Sequence, residues 1–150
     1  MTRVILSHVV IIFASYAAFA LALLTGLLFL AQESRLKRKD PRVLSSGTIP
    51  LELLDRINLY AVVAGFCLFS VGMLAGSRLA RLEWGSYFNG DPKELWSLTT
   101  WAAYALVLAL RLSRGLRGRR VVFLSVLSFA LLAFMFLGVN LLTGTRHPFI

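Results

Sequence analysis

The chain has one cysteine, Cys67, and two histidines, His8 and His147, among its 150 residues. A single thiol excludes an internal disulfide, a dithiol relay and the C-x-x-C-H signature of a covalently attached cofactor, and leaves Cys67 as a small packing residue. Acidic residues number only seven. There is no P-loop, G-x-S-x-G, H-E-x-x-H or dinucleotide-binding glycine fingerprint. Glu83, Asp91 and Glu94 are better explained by capping and interfacial pairing than by acid–base chemistry. Charge is scarce as well: 15% of residues are charged and 58% hydrophobic, more apolar surface than a soluble domain of this size can bury. The chain therefore reads as an integral membrane protein. Its net charge of +9 leaves no basic, aromatic-studded surface for a nucleic acid, so the placement of the cations matters more than their sum.

What is present is a set of four long apolar runs. A membrane-crossing helix needs about 20 such residues, and the runs lie at roughly 4–32, 59–82, 95–112 and 121–143. This predicts an all-α membrane domain of four transmembrane helices over 1–150, with connections at 33–56, 83–94 and 113–120 and a tail at 144–150. The first run is far too long for a signal-peptide h-region and is expected to be retained. Six Lys or Arg fall between Glu33 and Arg56, and five between Arg111 and Arg120, eleven of the sixteen in the chain. The positive-inside rule places both connections in the cytoplasm. The termini and the 83–94 segment are then expected outside.

Local signals support this layout. Pro41, the cluster Ser45-Ser46-Gly47 and Pro50 break the first basic connection, and Pro50 suits a helix beginning near Leu51. The stretch LELLDRINLY is expected to enter the membrane from an interfacial turn. On the outer side, Asp91 is a candidate N-cap with Pro92 at the first helical position and Glu94 three residues on. Gly65, Gly72 and Gly76 permit close helix contact, within this chain or with another.

The segment WGSYFNGDPKELWSLTTW, residues 84–101, concentrates all three tryptophans. Trp84, Tyr87, Trp96 and Trp101 fit an ordinary interfacial belt, or an amphipathic aromatic platform for a large planar apolar ligand. His8 and His147 fall at the same outer level on either side of that platform, like the axial pair of a six-coordinate haem. Without C-x-x-C-H such a haem is b-type and non-covalent. Its propionates want cations near the headgroups, for which Arg78 and Arg81, then Lys93 and Arg146, are candidates; each also fits simple snorkelling.

These residues resemble the tryptophan-rich "WWD" signature of the cytochrome c assembly family, the haem-handling proteins of the CcsA/ResC and CcmC type and the related HemX-like proteins. SHVVIIFASYAAFALALLTGLLFL is similar to the family helix that begins with an outward histidine, LELLDRINLYAVVAGF to the next helix, and FLGVNLLTGTRH to the terminal segment carrying the second external histidine. The resemblance covers almost the whole chain. It implies a haem site formed by His8, His147 and the matching motif positions Trp84, Gly85, Tyr87, Asp91, Pro92, Lys93, Glu94, Trp96 and Trp101. It also implies presentation of haem to apocytochrome c or a haem chaperone, alongside other membrane subunits, in the bacterial cytoplasmic membrane. Phe88 and Gly90 stand where the family places further tryptophans, reducing indole area. Synthase-type members carry additional helices with a second histidine pair, so this chain resembles a minimal outer-haem module, at most one component of a haem-ligation system. The alternative is a non-catalytic subunit of a respiratory or photosynthetic complex, carrying b-haem or acting as scaffold; an orphan membrane protein with an aromatic belt and no cofactor is the third.

Overall fold

The computed structural model describes residues 2–41, 47–88, 90–134 and 137–138. They form four helices in order: α1 (Thr2–Lys37), α2 (Leu51–Trp84), α3 (Pro92–Arg114) and α4 (Arg119–Phe134), with no strand among the described residues. Three stretches, Ile5–Lys37, Leu51–Trp84 and Pro92–Ser113, are long and apolar enough to cross a membrane, so the chain is a multi-pass membrane protein. The described part of α4 is 16 residues long. The rest of the fourth expected crossing, the tail and His147 lie outside the described residues.

Both ends of the first connection are more helical than the sequence pattern implies. α1 runs to Lys37, where Glu33 pairs with Lys37 at 3.0 Å and with Arg119 of α4 at 3.2 Å. α2 begins at Leu51, where Pro50 predicts a helix start, and LELLDRINLY is continuous with the rest of α2. The Pro50 carbonyl accepts from the Leu53 and Leu54 amides, and Glu52 pairs with Arg56 one turn on, which supports the first turns. At 1.5 Å per residue the 34 residues of α2 span about 50 Å. A hydrocarbon core is about 30 Å thick.

α1 and α2 are the closest pair, and their glycines set the register. A methyl group added at Gly65 would lie 2.7 Å from the Phe19 ring, and one at Gly76 would lie 2.9 Å from Cε1 of His8; one at Gly72 would collide with Ile12, and one at Gly26 would meet Asn58 at 3.3 Å. The steps of four, seven and seven residues along 8, 12, 19 and 26 match those along 76, 72, 65 and 58, as one antiparallel register requires. The small-residue stripe is thus consumed inside the chain. α4 lies against α1 and α3, whereas α2 and α3 share a narrower seam. The core around Phe19, Phe69, Tyr104 and Val121 is shared by all four helices, with Phe19 and Tyr104 stacked at 3.8 Å between centroids.

At the basic end a buried polar network joins the four helices. Arg111, counted above among the cations of the second basic connection, lies within α3 and is 7% exposed. Its Nη2 donates to Oδ1 of Asp55 at 2.8 Å and to Oδ1 of Asn58 at 3.0 Å, and its Nη1 donates to the Asp55 carbonyl at 3.2 Å. Asn58 Nδ2 in turn donates to the Ala22 carbonyl at 2.6 Å and to Ser125 Oγ at 3.4 Å. A charge this deep is tolerated because it is paired and hydrogen-bonded.

Candidate functional site

The α2–α3 seam opens at the end of the bundle opposite that network into a cavity of about 240 Å³. α1 contributes His8, Ile12 and Tyr16, one turn apart on one face; α2 contributes Phe69, Met73, Gly76 and Ser77. The start of α3 supplies Asp91, Lys93, Glu94, Ser97 and Leu98, and Tyr87 and Phe88 of the 85–91 connection complete the wall. The lining is mainly aromatic and aliphatic. Lys93 is its one cation among the described residues.

The connection is shaped by its glycines and by the cap of α3. Gly85, at φ 76°, ends α2 in the left-handed conformation, its amide donating to the Arg81 carbonyl, a position that favours glycine. Gly90, at φ 70°, makes a second left-handed bend. Asp91 caps α3 by accepting from the Lys93 amide at 2.9 Å, with Pro92 at the helix start, as its spacing predicts.

His8 is anchored on the opposite wall. Its Nδ1 lies 3.0 Å from the Gly72 carbonyl oxygen, and because a carbonyl only accepts, Nδ1 carries a proton, which in the neutral ring leaves the lone pair on Nε2. Among the described residues no three His, Cys, Asp or Glu side chains come together as a metal site. A zinc ion takes three or four protein donors, whereas a metalloporphyrin brings four nitrogens of its own and needs one or two protein ligands. One imidazole on an apolar wall therefore fits haem better than a bare ion.

Of the residues singled out from the sequence, the structure brings His8, Tyr87, Asp91, Lys93 and Glu94 to the cavity wall. Arg81 reaches it through Tyr87: its guanidinium hydrogen-bonds the Tyr87 hydroxyl and its Cζ lies 4.5 Å from the ring centroid. Arg78 is exposed and does not line the cavity. Trp84 ends α2, 37% exposed and outside the lining. Trp96 meets Phe134 of α4 edge to face at 4.9 Å, and Trp101 stacks near Phe66 at 5.3 Å while donating from Nε1 to Ser70 Oγ at 2.9 Å. Both join α3 to its neighbours. His147 and Arg146 fall outside the described residues.

The aromatic wall is instead Tyr16, Phe69, Tyr87 and Phe88. Tyr16 was legible by helical spacing from His8. Phe69 and Met73 became visible only through the α1–α2 register.

Comparison with known proteins agrees with the motif. Residues 1–147 match the family described as Cytochrome C assembly protein. Proteins named cytochrome c biogenesis protein CcsA are similar over nearly all of this chain: one from Parasynechococcus marenigrum (strain WH8102) is 36% identical, covering 95% of this chain and 53% of the relative. One from Mesostigma viride is 32% identical over 97% and 54%, and one from Chlamydomonas reinhardtii is 31% identical over 97% and 40%. The chain spans about half the length of the curated relatives it matches. No solved structure matches.

Proposed function

The chain belongs to the cytochrome c assembly protein family, and from that membership we propose that it holds a b-type haem at the His8 cavity and presents it outside the membrane for cytochrome c maturation. The observation that carries this reading is the anchored imidazole of His8 on a mainly apolar wall. When bound, the haem iron supplies the coordination site and the redox couple. Of the chain's own residues, His8 would hold the group by offering Nε2 to the iron, and Tyr16, Phe69 and Phe88 would exclude water from it. Lys93 faces a propionate, in the place first given to Arg78 and Arg81. His147 is the proposed second axial ligand.

A cavity of about 240 Å³ is smaller than the roughly 300–1,000 Å³ of a pocket that encloses its ligand. It grips one edge of a macrocycle and leaves the other accessible, which suits a carrier that must give haem up to apocytochrome c or a haem chaperone. The His8 end lies opposite Arg35, Lys37, Arg56, Arg111 and Arg119, so the positive-inside rule makes it extracytoplasmic. Four crossings, with the 83–94 segment as the outward WWD-like element and other membrane subunits alongside, complete the proposal.

The test is reconstitution of the purified full chain with ferric haem. A six-coordinate, low-spin spectrum is expected, and His8→Gln should weaken haem retention by at least about tenfold and convert the residual spectrum to another ligation state. A wild-type chain that binds no haem, or a His8→Gln variant with an unaltered spectrum, overturns the reading.

A further inference from the structure

We propose that Gly72 and Gly76 of α2 are positioning residues for His8: the Gly72 carbonyl holds the imidazole in its Nδ1–H tautomer, and the missing side chain at Gly76 uncovers that carbonyl. The consequence for haem rests on the reading above; tautomer and ring placement belong to the chain itself.

In a helix the carbonyl of residue 72 already accepts the amide of residue 76. A side chain leans over the turn preceding its own Cα, so any residue larger than glycine at 76 covers the carbonyl of residue 72. With glycine there, that oxygen is laterally open, and His8 Nδ1 reaches it at 3.0 Å. The ring lies so close to α2 that a Cβ at position 76 would stand 2.9 Å from Cε1 of His8 and 3.6 Å from each ring nitrogen. The Cε1 contact is too short to keep, so the ring would have to shift or turn away from α2. A ligating histidine that donates its other N–H to a backbone carbonyl is fixed in tautomer and orientation, and loss of such a partner typically costs 10–100-fold in metal affinity. The α1–α2 register therefore makes the outermost glycine contact part of the His8 site, beyond its role in helix packing.

Gly65 provides the control. A methyl group there would press on the Phe19 ring at 2.7 Å, comparably tight, in the same interface and away from His8. The experiment is 15N NMR of the full chain, labelled at histidine and placed in lipid nanodiscs, with His8→Gln identifying the His8 signals. Wild type and Gly65→Ala are expected to show the Nδ1–H tautomer at His8, and Gly76→Ala to lose it. A wild-type His8 in the Nε2–H tautomer, or a Gly76→Ala variant that keeps Nδ1–H, overturns the proposal without reference to haem.

The consequence is read separately in chains loaded with ferric haem. Gly76→Ala should release haem at least about tenfold faster than Gly65→Ala, and the difference should vanish in a His8→Gly background supplied with free imidazole. Equal rates in the two alanine variants overturn the positioning role in ligation. A wild-type chain that keeps the Nδ1–H tautomer and binds no haem overturns the functional reading and leaves the placement of His8 by Gly72 and Gly76 standing.

Discussion

Trp101 illustrates how one residue's role divides between what its type implies and where its neighbours stand. Tryptophan in the first half of a membrane helix fits an interfacial belt or a ligand platform, but here the indole N–H donates to Ser70 and the ring lies tilted against Phe66, so the side chain fastens α3 to α2. Trp101→Phe keeps the ring and drops the donor. We expect a loss of about 1 kcal/mol in reversible unfolding in detergent, with haem retention unaltered; a variant as stable as wild type but poorer in haem would return Trp101 to the site. Asp91 lies at the other extreme. Its cap on α3 follows from D-P-x-E alone and is found as expected, because an N-cap is satisfied by the amides of the next turn and needs nothing distant.

At the scale of helices, two devices hold the bundle. Between α1 and α2, small residues on one helix receive His8, Ile12 and Phe19 of the other; with lipid on the outside, close van der Waals contact is a main source of association. Between α2 and α3 the seam is narrow, and the Arg111–Asp55 pair, with side chains 3% and 17% exposed, clamps its basic end. Removing Asp55 leaves the Arg111 charge buried without its counter-ion. Asp55→Ala is expected to destabilise the chain by about 3–5 kcal/mol, whereas the double replacement Asp55→Leu with Arg111→Met recovers most of that loss. Unfolding curves of the three variants, measured in the same detergent, check this, and a double variant no better than Asp55→Ala would make the pair more than a clamp.

For the molecule as a whole, the antiparallel order of the helices sorts the chemistry to two ends. One end gathers most of the arginines and lysines, and the other the His8 cavity and the capped start of α3. The proposed orientation follows from that asymmetry through the positive-inside rule. In a Cys67→Ala background, a membrane-impermeant maleimide should label Ser86→Cys in intact spheroplasts and Asp40→Cys only after lysis. The reverse pattern would place the cavity in the cytoplasm and remove haem presentation outside the membrane.

The sequence by itself determined the membrane class, the positions of the helices, the cap of α3 and the family, because hydropathy, capping spacing and motif are local or additive along the chain. It also singled out His8, Tyr87, Asp91, Lys93 and Glu94, which line the cavity, and named Trp84, Trp96, Trp101 and Arg78, which do not. Only the tertiary structure decided that Phe69 and Met73 join the cavity wall, that Arg111 is buried, and that His8 leans on Gly72. Membrane helices are apolar nearly all round, so their pattern says little about which face turns inward. That choice belongs to the register between helices, a sum over many contacts distant in sequence, and the register of α1 on α2 carries His8 to its place.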